Sequence, residues 1–126
     1  MRRKIIVLIT AMLLVGSMSM VTALAGTMSG SYSTSNRQKV GTAYNSSGDY
    51  KTAYGHLYPG ATSPAAKLEI CNANGTLVKA SGTYSASSPN PNDTTCPIAP
   101  GETLSFYVKP VVSGQYVWGT EHHGIY

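Results

Sequence analysis

Beyond residue 25 the chain alternates short mixed runs of apolar and polar residues with clusters of Gly, Pro, Asn and Ser, and no stretch repeats its apolar positions at helical spacing. The clearest run is Thr103–Lys109, with Leu104, Phe106 and Val108 at one parity and Ser105, Tyr107 and Lys109 at the other. Strand side chains alternate between faces, so this run predicts a half-buried strand, opened by a turn at Pro100-Gly101 and closed by Pro110. A turn at Ser113-Gly114 then predicts a second arm, Gln115–Thr120, folding back as a hairpin and carrying Tyr116 and Trp118.

Residues Ala66–Ala80 predict another hairpin. A three-residue loop, Ala73-Asn74-Gly75, with Gly75 left-handed sets Cys71 against Leu77, Ile70 against Val78 and Glu69 against Lys79. That register gathers Leu68, Ile70, Val78 and Ala80 on one face and leaves an opposite-charge pair on the other. Weaker strands are expected at Ser29–Ser35, Lys39–Asn45 and Tyr50–Tyr58, while the Ser-, Pro- and Asn-rich stretch Ser81–Thr95 reads as a long surface loop. About seven strands in this length make an all-β domain, most economically a small antiparallel β-sandwich, with a small β-barrel as the alternative.

The start of the chain follows a different pattern. Arg2, Arg3 and Lys4 precede an uncharged run from Ile5 to Val15, and Ala23-Leu24-Ala25 stands before Gly26. A basic segment, an apolar segment and an A-x-A site in that order predict a secretory signal peptide of bacterial type, cleaved after Ala25. Residues 1–25 are then the signal and 26–126 a single secreted domain with no membrane segment. A retained anchor is the competing reading, but Gly16, Ser17, Ser19 and Thr22 make a poor spanning helix.

Cleavage changes the electrostatics. The formal charge of +4 includes the three cations of the signal. What remains is Arg37, Lys39, Lys51, Lys67, Lys79 and Lys109 against Asp49, Glu69, Asp93, Glu102 and Glu121, so the basic composition of the precursor does not point to nucleic acid as a partner. In an oxidising compartment Cys71 and Cys96 are expected to pair as a disulfide, closing the loop for about 3 kcal/mol.

Chemistry-bearing residues are few. Tyr50, Tyr54, His56 and Tyr58 share one parity of a strand and predict a stripe of amphipathic rings able to bind a sugar or a protein, with Tyr116 and Trp118 as a second group. The competing reading packs the stripe against the opposite sheet. His122 and His123 are adjacent, so a regular strand sends them to opposite faces and they do not chelate one ion; the tail reads as a solvated terminus and no metal site is expected. No G-x-S-x-G elbow and no evident pair of carboxylates occur, so neither catalysis nor a cofactor is expected. The residues therefore point to a secreted, non-catalytic module that binds an extracellular glycan or protein. The alternative is a secreted antagonist, either a bacteriocin-like toxin or an inhibitor of a hydrolase, with Ser81–Thr95 as its inserted element. The sequence leaves the oligomeric state open.

Overall fold

The computed structural model describes residues 21–23 and 26–126; residues 1–20, which hold the basic and apolar regions of the expected signal, lie outside them. The described residues form nine strands: β1 (Val21–Ala23), β2 (Gly26–Thr34), β3 (Gln38–Tyr44), β4 (Lys51–Pro59), β5 (Ala66–Asn72), β6 (Leu77–Ala80), β7 (Thr94–Ile98), β8 (Thr103–Pro110) and β9 (Val117–Ile125). They form a five-stranded sheet, β1-β3-β8-β5-β6, and a four-stranded sheet, β2-β9-β4-β7. Every pairing is antiparallel except the short edge contact of β1 with β3. No helix is present among the described residues. The fold is the expected sandwich rather than the barrel.

Parity builds the core. From the five-stranded sheet, Leu68 and Ile70 of β5 and Leu104, Phe106 and Val108 of β8 point inward; Ala53 and Leu57 of β4, Cys96 and Ile98 of β7 and Val117 and Ile125 of β9 meet them from the other sheet. Gly55 lies on the same inward parity, and a Cβ there would fall 2.4 Å from Leu68 Cδ2 and 3.2 Å from Phe106 Cδ1. Its lack of a side chain is what lets the two sheets close at that point. The predicted turn glycines Gly75, Gly101 and Gly114 all take positive φ, which only glycine adopts at no steric cost.

Four expectations need correction. First, Cys71 and Cys96 are free thiols, both buried, and no disulfide joins them. Leu68 and Ile70 must face the core, which turns Cys71 to the outer side of its sheet, where its Sγ accepts a 3.0 Å hydrogen bond from Arg37 Nη2; Cys96 shares the inward parity of Ile98. The two sulfurs lie on opposite sides of a sheet. Second, Gln115–Thr120 does not pair with Thr103–Lys109: β8 lies between β3 and β5, whereas β9 crosses to the other sheet and lies between β2 and β4.

Third, the β5–β6 hairpin keeps Cys71 opposite Leu77 but carries a bulge beside it, so Ile70 faces Lys79 and Glu69 faces Ala80. Glu69 instead pairs with Arg37 and Lys109. Fourth, the tail is not a solvated terminus. Strand β9 runs to Ile125 through the middle of the four-stranded sheet, and Tyr126 continues it through two backbone hydrogen bonds with Thr52.

Candidate functional site

Register places the ring-bearing residues. On the outer face of the four-stranded sheet, His56 of β4 lies opposite His122 of β9, Tyr58 opposite Thr120, and Tyr54 opposite Gly124. Across β9, Ser29, Ser31 and Ser33 of β2 stand against His122, Thr120 and Trp118. The result is a strip of rings along β4 and β9, bordered on one side by a row of hydroxyls. From Trp118 to Tyr126 it runs roughly 25 Å at the usual rise of a strand.

Neighbouring rings touch. His56 and Tyr58 have centroids 4.6 Å apart, Tyr58 and His122 4.9 Å, Tyr54 and Tyr126 5.4 Å, and Tyr116 stacks with Trp118 at 5.8 Å. Gly124 has no side chain, so the Tyr54 ring can extend across β9 and its hydroxyl hydrogen-bonds Thr27 Oγ1 on β2. Burial and the charge of Asp93 raise the Tyr54 phenol above its ordinary value. Interplanar angles of 33° to 58° along Tyr54, His56, Tyr58, His122 and Tyr126 tilt the rings rather than laying them in one plane.

One end of the strip is closed by the long loop. Strand β7 stops at Thr94, level with Gly55, and beyond that point the edge of β4 is covered by residues 84–93. Tyr84 is buried there, its ring 4.9 Å from His56 in an edge-on contact and its hydroxyl bonded to the Asn92 carbonyl and Thr94 Oγ1. His56 Nδ1 lies 3.0 Å from Asp93 Oδ1. Between the loop and the strand is a cleft of about 210 Å³ whose walls include Tyr58 and Pro59 on one side and Ala86 and Pro89 on the other. Hydrogen bonds and ring contacts thus do the pinning expected of a disulfide.

The six ring positions read from the sequence do not all meet. Tyr54, His56 and Tyr58 lie together in the strip, with His56 buried and Tyr58 half exposed. Trp118 has the same outward parity at the far end, over Gly60, and stacks with Tyr116. Tyr50 precedes β4, is 72% exposed and touches no other ring among the described residues. His122, Tyr126, Tyr84 and Asp93 were missed. For His122 a signal was available, because continuing the period of β9 past Thr120 puts it on the outward parity of Trp118.

A second polar group lies on the inward side of β9. Glu121 and His123 are both fully buried, with Glu121 Oε2 2.8 Å from His123 Nδ1. Gly30 on β2 faces Glu121, and a Cβ at that glycine would fall 2.8 Å from Oε1. Gly55 on β4 faces His123, whose ring lies 5.1 Å from Phe106 of the opposite sheet. Glycines on the flanking strands therefore make room for the buried acid and imidazole. The neighbouring Tyr32 phenol, also buried, is pushed up to about 12 by desolvation. Among the described residues no group of three His, Cys, Asp or Glu side chains is arranged to hold a metal ion.

No family model matches the chain, and no curated protein matches it. Among solved structures it is similar to PliG of Aeromonas hydrophila, a periplasmic inhibitor of g-type lysozyme, at 9% identity and a TM-score of 0.48, over 86% of this chain and 98% of that one. It is also similar to the insecticidal delta-endotoxin Cry8Ea1 of Bacillus thuringiensis, at 16% identity and a TM-score of 0.40, over 77% of this chain and 19% of that one.

Proposed function

We propose that the chain is an exported, non-catalytic binding domain that docks on another protein through the outer face of its four-stranded sheet, with inhibition of a secreted hydrolase as the activity to test first. The observation that carries this is the cleft beside Tyr58, bounded by a loop that Tyr84 and Asp93 hold in place. A pre-ordered loop and ring strip lose little conformational entropy on docking, and an apolar recess next to the half-exposed Tyr58 suits an inserted side chain of a partner. Strip and serine row carry no Lys, Arg, Asp or Glu, with Asp93 at the border, so such a surface is desolvated at low cost. Tyr, Ser, Gly and Asn are also the residues that adaptable protein-binding surfaces favour.

The first test is a turbidity assay of cell-wall lysis by g-type, c-type and i-type lysozymes with and without the full chain, followed by binding of any inhibited enzyme to Y58A/H122A. Inhibition lost in the variant supports the reading. Undiminished inhibition by the variant moves the docking surface elsewhere, and the absence of inhibition and binding across the panel removes the hydrolase target.

Glycan binding by the same face is the second reading, favoured by the serine row of β2 beside the rings. Tilted rings are a poorer platform for a sugar than coplanar ones, which is why it ranks second. Retention of the chain on insoluble polysaccharide, reversed by a soluble sugar and lost in Y58A/H122A, would replace the first reading.

A further inference from the structure

The opposite face of the molecule has a different chemistry. On the outer side of the five-stranded sheet, Lys39 of β3 stands against Tyr107 of β8, and Lys67 of β5 stands directly against Lys109 of β8. Arg37 enters the same face from the β2–β3 turn and lies over Tyr107, its guanidinium carbon 3.8 Å from the ring centroid. Glu69 is the one carboxylate among them, held by Arg37 Nε at 3.0 Å and Lys109 Nζ at 3.1 Å.

The remaining acids sit elsewhere. Glu121 is in the core, Asp93 borders the other sheet, Asp49 lies in the β3–β4 turn, and Glu102 caps the turn at Ala99 through its Oε1. A chain whose charges nearly balance beyond residue 25 thus gathers four cations within roughly 12 Å of one another, two strand spacings across and two residues along. Like charges directly opposed across a sheet oppose folding, and the single acid answers only Arg37 and Lys109. Lys39 and Lys67 make no ion pair among the described residues.

We infer that this face is a second binding surface, and that its ligand is an acidic polysaccharide of a cell surface, held by Lys39, Lys67, Lys109 and Arg37. The charge calls for a polyanion. The ring arrangement selects among polyanions: bases of single-stranded nucleic acid need free aromatic faces among the cations, and there the Tyr107 ring is already covered by Arg37, while the exposed Tyr44 lies at the other end of β3, opposite Thr103. Beside Arg37 and Lys109 a groove of about 280 Å³, with Ser35, Asn36 and Ser113 in its walls, supplies hydrogen-bonding groups for sugar hydroxyls. Such binding would hold the domain at an envelope surface while the ring face on the other side stays free for its partner.

Heparin is the probe, with uncharged dextran and a single-stranded DNA oligonucleotide for comparison. The full chain is expected to bind heparin and not dextran, with affinity falling steeply as salt rises. K39Q/K67Q, which breaks no ion pair, should bind about tenfold more weakly, whereas K39R/K67R should bind like the parent. K51Q/K79Q removes the same charge outside this face and should leave affinity unchanged; equal weakening by both glutamine pairs would overturn the inference, since total charge would then account for binding. DNA binding as tightly as heparin and competing with it would also overturn it. Y58A/H122A should bind heparin like the parent, so this surface and the proposed protein-docking face fail or succeed separately.

Discussion

Glu121 and His123 face each other inside the sandwich at 2.8 Å, both sealed from water, and Oε1 of Glu121 has no hydrogen-bond partner among the described residues. A buried acid–imidazole pair is a weak source of stability, because desolvating the groups offsets their attraction, yet removing one member takes this bond from the other inside the core. Glu121→Ala is therefore expected to cost about 3–5 kcal/mol in urea unfolding, through the lost pair and the cavity together. Glu121→Leu combined with His123→Leu should restore most of that or exceed the parent, with a coupling of at least about 1 kcal/mol between the sites. Strictly additive effects would mean that the pair does not act as a unit.

Tyr32 gives the core a titration at high pH. Its phenol ionises near 10.0 when exposed and at about 12 in the folded chain, because burial disfavours the phenolate. The folded state holds the proton more tightly, so this contribution is complete below pH 10 and is lost as pH climbs toward 12; the gap corresponds to roughly 2–3 kcal/mol. Stability of the parent should fall across that window by more than stability of Tyr32→Phe does. The Tyr32 hydroxyl has no partner among the described residues, so at neutral pH the phenylalanine variant should be as stable as the parent or slightly more so. Parallel curves for the two chains above pH 10 would contradict this.

Strand parity carries most of what is legible in the sequence, and the fold departs from expectation where other cues compete with it. Leu104, Phe106 and Val108 alternate without interruption, so β8 was legible almost to its ends. In β9 the same period continues through Val117, Gly119, Glu121, His123 and Ile125, but two inward positions are titratable and the run therefore reads as a wet tail. Compartment and count alone pair the cysteines, although the inward parity of Ile70 and Ile98 already turns Cys71 out and Cys96 in. Tyr54, His56 and Tyr58 were legible as one stripe because local period suffices; His122 and Tyr84 reach them only through long-range pairing, which a local pattern does not contain. The clustering of cations on the outer face of the five-stranded sheet is of the same kind, since it depends on which strands are neighbours.

Free thiols have a direct consequence. The intact mass should be that of two unpaired cysteines, and thiol titration in denaturant should count both without prior reduction. Dithiothreitol should leave the melting temperature unchanged. In the folded chain Cys96 should react slowly, since it is buried and burial raises its thiol above the ordinary value. Cys71→Ser should be mild, costing about 1 kcal/mol, because the serine oxygen can still accept from Arg37. A mass two daltons lower, with a melting temperature that drops on reduction, would restore the disulfide and require the strands to be re-registered.

Tyr84 decides whether the long loop is a fixed element or a tether. Its ring is 1% exposed against His56, and its hydroxyl ties Asn92 and Thr94 to the same point, so one side chain fastens both ends of the loop. Tyr84→Ala removes a buried ring and should cost about 3–5 kcal/mol, enough to threaten the whole domain. Tyr84→Phe is the informative variant. It keeps the ring and loses only the hydroxyl, at a cost of about 1 kcal/mol, with Thr94 Oγ1 left buried. The expected outcome is a slightly lower melting temperature together with clearly faster proteolysis between residues 85 and 92, because local opening responds to local hydrogen bonds while global unfolding responds to the core. If the cleft beside Tyr58 is where the partner inserts, the same variant should weaken docking through faster dissociation with little change in association, since the loop must then be ordered on binding. Faster proteolysis without any change in docking would separate the loop from the docking surface and leave the ring strip alone to carry it.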